Sequence, residues 1–126
     1  MRARTRSLLC AGLITAAAAP APAADAAPTR VCKSADLRYP FEPGGPKTFG
    51  VFKLQITGGS CTTAHSVAKR WMNRFEANLR AGRVKLPRRV GGFTFKSLPP
   101  REAQTYRLRG RRDDTTIRFD YRVPNG

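Results

Sequence analysis

One stretch of the chain has the periodicity of a long helix that packs on one side. Its apolar residues recur at steps of three and four, so all of them lie on one helical face. They are Ala64, Val67, Ala68, Trp71, Met72, Phe75 and Leu79. Ser60, Thr62 and Thr63 are candidate N-caps before this series, and Gly82 is a natural stop after it. The pattern predicts an amphipathic helix over about residues 60–81, which needs an apolar surface to pack against.

Four further segments alternate apolar and polar side chains, the pattern of strands with one buried face. They cover residues 50–58, 92–98, 105–110 and 115–123. The first of them places Phe52, Leu54 and Ile56 on its inner face. One helix and four such strands predict an α+β fold, in which the long amphipathic helix packs on an antiparallel sheet of about four strands.

The first 26 residues have the layout of a secretory signal peptide. Three arginines precede an uncharged apolar run at residues 7–19, which is too short to span a bilayer. Small residues surround Asp25, so cleavage is expected after Ala26. The sequence therefore predicts export by the general secretion route.

Two regions are predicted in the rest of the chain. Residues 27–48 form an irregular arm rich in proline and glycine, and residues 49–126 form a single α+β domain. Cys32 and Cys61 are the cysteines left after the leader is removed, and two cysteines in a small exported domain most often form a disulfide. This disulfide would tie the arm to the start of the helix. The alternative is a free Cys61 thiol beside His65, one helical turn away.

The chain is strongly basic, with a net charge of +16. Without the leader, 21 basic and 7 acidic residues remain, a net charge near +14. Acidic residues would serve solubility at least as well, so the cations point to an anionic partner. Strand alternation places many of them on the outer sheet face, next to a basic loop at 83–89. The predicted anion-binding residues are Lys85, Arg88, Arg89, Arg107, Arg109, Arg118 and Arg122.

Residues suited to catalysis are sparse. His65 is the only histidine, and no G-x-S-x-G sequence marks a serine nucleophile. A secreted ribonuclease needs a general base and a general acid, and the sequence places no carboxylate to orient His65. Metal ligands are too few and too scattered for a site. The sequence therefore predicts no catalytic residues, no metal and no cofactor, and it favours a protein that is not an enzyme.

The start of the helix carries the pattern G-x-x-C-x-x-A-x-x-V followed by a tryptophan. The matching residues are Gly58, Cys61, Ala64, Val67 and Trp71. In this the chain resembles a group of small secreted bacterial proteins of unknown function, which have two further cysteines on later strands. Phe95 stands in place of one of them, and Leu108 or Tyr106 in place of the other. The resemblance implies the fold and export, and it suggests that an apolar contact between Phe95 and Leu108 replaces a second disulfide.

These observations predict an exported binding module for anionic surface material, which is an envelope polymer, an acidic lipid or an acidic protein. Nucleic acid would bind only non-specifically, through charge. One alternative is a small secreted hydrolase or toxin such as a ribonuclease, which a cleft joining His65 to a carboxylate and arginines would favour. Another is a secreted inhibitor that makes contact through the proline-rich loop at 39–48.

Overall fold

The computed structural model describes residues 27–99 and 103–123, so the predicted signal peptide at 1–26 lies outside the described residues. Within them, one long helix, α1, covers Cys61–Arg80. The strands are β1 (Thr29–Val31), β2 (Arg38–Pro40), β3 (Lys47–Thr57), β4 (Arg89–Val90), β5 (Phe93–Leu98), β6 (Thr105–Arg112) and β7 (Thr115–Arg122). A short 3-10 turn, Ala35–Leu37, precedes β2.

The strands form one antiparallel sheet in the order β1-β3-β7-β6-β5-β4. β2 also pairs with β3, at its N-terminal end, whereas β1 pairs with its C-terminal end. The helix connects β3 to β4. Strands β6 and β7 form a tight hairpin, in which Arg112 pairs with Thr115 and only Asp113 and Asp114 make the turn. Asp113 has a φ of 51°, a left-handed conformation that aspartate tolerates in such turns.

Both ends of the helix follow from local chemistry. The Ser60 hydroxyl oxygen accepts a hydrogen bond from the Thr63 amide at 3.2 Å, which satisfies one free donor of the first turn. After the last turn, Gly82 adopts a φ of 75°, and its amide donates to the Leu79 carbonyl. The helix predicted at about 60–81 is therefore confirmed.

The apolar face of α1 packs on the inner face of the sheet through aromatic contacts. Trp71 is fully buried, and its ring centroid lies 5.2 Å from that of Phe75, 5.3 Å from Phe119 and 5.6 Å from Tyr121. Phe95 completes this cluster at 6.5 Å. Aromatic pairs at these distances add favourable ring contacts to the burial of apolar area. The predicted α+β arrangement of one helix on an antiparallel sheet is confirmed.

The prediction of about four strands is wrong, because the sheet has seven. The additional strands β1, β2 and β4 have only two or three residues each. Strands this short show no readable alternation, and they exist because the backbone of a longer neighbouring strand offers free hydrogen-bonding groups. Two of them, β1 and β2, lie in the segment 27–48, where the proline and glycine content predicts an irregular arm.

A bulge in β3 changes which residues of that strand are buried. Phe52 pairs with Asp120 and Gln55 pairs with Arg118, so two residues of β3 lie opposite one residue of β7. Lys53 adopts a φ of 53° at this point. Because the extra residue reverses the alternation, the N-terminal half of β3 buries its odd positions and the C-terminal half its even ones. The prediction that Phe52 points inward is therefore wrong, and Val51 is the buried residue.

Cys32 and Cys61 form the predicted disulfide, which links the segment before the 3-10 turn to the first residue of α1. The alternative of a free thiol at Cys61 is therefore wrong. The bridge closes a loop with a sequence separation of 29 residues. It restricts the unfolded chain far more than the folded one, where β1 and β3 already hold the segment in place.

Phe95 and Leu108 both belong to the buried core. Directly opposite Phe95 on β6, however, lies Gly110, while Leu108 lies opposite Ser97. A Cβ atom on Gly110 would come within 2.5 Å of the Phe95 ring. The missing side chain at Gly110 is therefore what leaves room for that ring.

Replacing both cysteines, Cys32→Ala with Cys61→Ala, should lower the free energy of unfolding by about 3–4 kcal/mol, the value that the chain-entropy model gives for a loop of this length. Urea unfolding of the oxidised wild-type protein and of the double variant measures the difference. Reduced wild-type protein should match the variant. Equal stability of the oxidised and reduced proteins would contradict the expectation.

The substitution Gly110→Ala should destabilise the protein by about 1–3 kcal/mol, because the new methyl group overpacks the Phe95 ring. Combining it with Phe95→Leu should recover part of this loss, since leucine has no ring at the point of the clash. A double-mutant cycle of thermal unfolding measures the coupling between the two positions. Strictly additive effects would show that the ring does not occupy this space.

Candidate anion-binding face

The sheet surface that points away from α1 is rich in cations. We call it the outer face. Its charged side chains come from the four central strands, and they are Lys53, Lys96, Arg107, Arg109, Arg111, Arg118, Asp120 and Arg122. The Gln55 amide and the hydroxyl groups of Thr94, Thr105 and Thr116 lie on the same face. It carries the alternate positions of the strands, because their other positions are buried under the helix. Asp120 is the only acidic residue in any of the seven strands.

Three cations lie side by side in one row across the outer face. Lys96 pairs with Arg109 across β5 and β6, and Arg109 pairs with Arg118 across β6 and β7. Neighbouring strands are about 4.8 Å apart, and like charges directly opposite each other are destabilising. Among the described residues, none of the three takes part in an ion pair. We call these three residues the cation row.

The next row contains the carboxylate. Asp120 pairs with Arg107 on β6, and one of its oxygens lies 3.9 Å from the Arg107 Nε atom. The other oxygen lies 3.9 Å from the Lys53 Nζ atom, because the bulge moves Lys53 to this side. The Asp120 side chain is 15% exposed and that of Arg107 is 33% exposed. One acidic group is thus shared loosely between two cations.

Phe52 holds two arginines at the edge of the outer face. The guanidinium carbons of Arg38 and Arg122 each lie 4.3 Å from the centroid of its ring. A cation that lies above the face of an aromatic ring is attracted to it electrostatically. Arg38 also donates from Nε to the Val51 carbonyl at 2.9 Å and from Nη2 to the Ser34 hydroxyl at 3.1 Å. Sequence reasoning missed this arrangement, because it depends on the bulge that turns Phe52 outward.

A depression of about 160 Å³ lies between these rows. Its walls combine four cationic side chains with one carboxylate, one hydroxyl and one amide. The residues that line it are Lys53, Gln55, Leu98, Thr105, Arg107, Leu108, Arg118, Phe119, Asp120 and Arg122. We call it the Asp120 depression.

The structure divides the predicted anion-binding residues. Arg107, Arg109, Arg118 and Arg122 lie together on the outer face, and Arg89 on β4 joins its edge opposite Thr94. Two others lie in the loop that follows the helix. Lys85 is exposed there beside α1, where its carbonyl accepts from the Asn78 side chain at 2.8 Å. The Arg88 carbonyl accepts from the Phe95 amide at the start of β4.

His65 has a carboxylate partner, contrary to expectation. Its Nε2 atom lies 2.6 Å from an oxygen of Asp36, which belongs to the 3-10 turn. This hydrogen bond is the main cause that lowers the pKa of Asp36 below its ordinary value of 3.8. The sulfur of Cys61, one turn before His65, is bonded to Cys32 and is not a nucleophile. The pair therefore acts as a second link between the 3-10 turn and the first turns of α1.

A polar contact also lies at the other end of the helix. The Tyr121 hydroxyl donates to a Glu76 carboxylate oxygen at 3.1 Å. Burial, followed by the nearby Glu76 charge, raises the pKa of Tyr121 well above the ordinary value of a tyrosine. Both residues line an apolar hollow with Tyr39, Phe49, Leu79 and Arg80. In the sequence Glu76 looks like an ordinary surface residue among arginines, because nothing local shows its contact with β7.

No protein-family model matches the chain, and neither a curated protein nor a solved structure shows significant similarity to it. Over residues 27–99 and 103–123, no helix has the length and apolar character needed to cross a bilayer. In the same part of the chain, no three His, Cys, Asp or Glu side chains lie close enough together to hold a metal ion.

The variant Asp36→Asn should be less stable than the wild-type protein by at most about 1 kcal/mol, because the Asp36 side chain is 66% exposed. The folded protein lowers the pKa of Asp36, so this contribution is fully present above pH 3.8 and is lost as the pH falls through the lowered pKa. Urea unfolding of both proteins between neutral pH and strongly acidic pH measures the difference. In a His65→Gln background, Asp36→Asn should not change the stability at any pH. A stability difference that persists in that background would contradict the pairing of His65 with Asp36.

Proposed function

We propose that the protein is an exported, non-enzymatic binding module whose outer face binds anionic polymers of the cell surface. The observation that carries this proposal is the cation row. The sheet register sets Lys96, Arg109 and Arg118 directly opposite one another, and no described carboxylate is within ion-pairing distance of them.

The energetics favour an external anion. Like charges on directly opposed strand positions repel each other and cost stability, whereas an anion placed between them makes charge-assisted hydrogen bonds with both. A neutral residue at any of these positions would avoid the cost to folding. The fold does not require three adjacent cations, whereas an anionic ligand would account for them.

The spacing of the cations suits a repeating anion. Arg107, Arg109 and Arg111 occupy every second position of β6, so their Cα atoms are about 7 Å apart along the strand. Neighbouring strands add cations about 4.8 Å to each side. This surface presents charge in two directions, as an extended polymer with one anionic group per repeat would require.

Export is supported by two features. The leader pattern of residues 1–26 is typical of a signal peptide. The disulfide between Cys32 and Cys61 is of a kind that persists mainly in oxidising compartments. A protein in such a compartment meets envelope polymers directly, whereas its contact with nucleic acid is incidental.

The double variant Arg109→Gln with Arg118→Gln should bind anionic polymers more weakly and with less dependence on salt. If each arginine displaces about one counterion from the polymer, the negative slope of log K against log salt should become shallower by about 2. Titration of immobilised dextran sulfate with the purified protein over a series of salt concentrations measures this slope.

The matched control is Lys69→Gln with Arg70→Gln, which removes the same charge from exposed positions of the helix. It should change the slope much less than the outer-face variant. Equal losses in the two variants would show that net charge alone governs binding, and they would contradict the assignment of the outer face. Absence of salt-sensitive binding by the wild-type protein would contradict the proposed function itself.

A further inference from the structure

Asp120 is the feature of the outer face that binding of a polyanion does not explain. Its carboxylate repels anions from the centre of a surface that is otherwise cationic. Neither of its oxygens accepts a hydrogen bond from the described residues, and its two cationic neighbours are both at 3.9 Å. A largely buried carboxylate usually accepts several hydrogen bonds, so this one keeps unused acceptor capacity.

The cations around Asp120 have unused donors. Arg122 is held by its contact with the Phe52 ring, and among the described residues its guanidinium makes no hydrogen bond. Arg118 and Arg107 contribute two more guanidinium groups to the same depression, and Lys53 contributes an ammonium group. Together with Asp120 these groups give the depression a formal net charge of +3. Guanidinium groups match phosphate oxygens in shape and bind them with paired hydrogen bonds.

We infer that the Asp120 depression is a subsite for a phosphate ester that carries a free hydroxyl group on a neighbouring carbon, as in a polyol phosphate. The phosphate would lie among Arg107, Arg118 and Arg122, and the hydroxyl would donate to Asp120. This inference rests on the proposed function, because it names the unit of the anionic polymer that the outer face recognises.

The size of the depression agrees with such a unit. A volume of about 160 Å³ has room for one phosphate and a short chain of carbon atoms. The combination of donors and an acceptor gives selectivity as well as affinity. A ligand without the hydroxyl would cover Asp120 without pairing it, and leaving a covered carboxylate unpaired is costly.

The test compares two small ligands that differ only in their hydroxyl groups, glycerol 3-phosphate and propyl phosphate. Titrations of the full chain followed by NMR chemical shifts give both dissociation constants. The wild-type protein should bind glycerol 3-phosphate about tenfold more tightly, which is the effect of one charge-assisted hydrogen bond. The shifted resonances should include those of Asp120 and Arg122.

The variant Asp120→Ala separates recognition of the hydroxyl from general attraction. It removes a repulsive charge, so propyl phosphate should bind as tightly as before or more tightly, while the preference for glycerol 3-phosphate should disappear. The matched control Glu42→Ala removes an exposed acidic group from the loop before β3 and should keep the preference. If Asp120→Ala fails to fold, Asp120→Asn preserves the shape and should reduce the preference several-fold.

Equal binding of the two ligands by the wild-type protein would overturn the inference, as would a preference that survives in Asp120→Ala. Either result leaves the proposed function intact if the protein still binds dextran sulfate with the expected salt slope. Loss of that polymer binding would instead remove the proposed function on which the inference depends.

A last comparison separates two sources of the unit. Glycerol 3-phosphate should displace the wild-type protein from a soluble poly(glycerol phosphate) if the source is a polymer, and from phosphatidylglycerol vesicles if the source is a lipid headgroup. Displacement from either supports the inference and identifies the source. Displacement from neither would overturn it.

Discussion

The contact of Trp71 with the inner face of the sheet is the interaction on which the rest of the structure depends. Its indole ring meets aromatic rings from the helix and from two strands, β5 and β7, and its Nε1 atom donates to the Pro87 carbonyl at 3.1 Å. The helix thereby covers one whole side of the central strands. Because strand side chains alternate, most polar positions of those strands are then confined to the other side. The cationic outer face is thus a direct consequence of how the core is packed.

Burial of the core also explains how the outer face tolerates its own repulsion. The register of the β6–β7 hairpin places Arg109 opposite Arg118, and a shift by one residue would bring both to the apolar side. Such a shift would expose Ile117 and Phe119, each of which stabilises the fold by about 1.5–3 kcal/mol through burial. Repulsion between two partly solvated cations is about 1 kcal/mol or less. The apolar residues therefore fix the register, and Arg109 lies opposite Arg118 as a consequence.

The bulge at Lys53 affects the arrangement of the outer face more than the packing of the core. One extra residue in β3 turns Phe52 outward, where its ring holds Arg38 and Arg122, and it brings Lys53 to Asp120. An uninterrupted strand would have buried Phe52 and left these arginines without that support. The backbone irregularity, at a residue with a positive φ, is therefore what gathers donors and one acceptor into the Asp120 depression.

The sequence by itself determined the helix, the four long strands, the inward position of most aromatic residues and the disulfide between Cys32 and Cys61. These follow from periodicity and from the small number of cysteines, both of which are local or countable properties. Only the tertiary structure decided the short strands, the bulge, the contact of His65 with Asp36 and the neighbours of each arginine. Each of these depends on backbone pairing or on contacts between residues far apart in the chain, for which one strand's own alternation contains no signal. The sequence showed that the protein is strongly basic, and the sheet register decided which cations lie together.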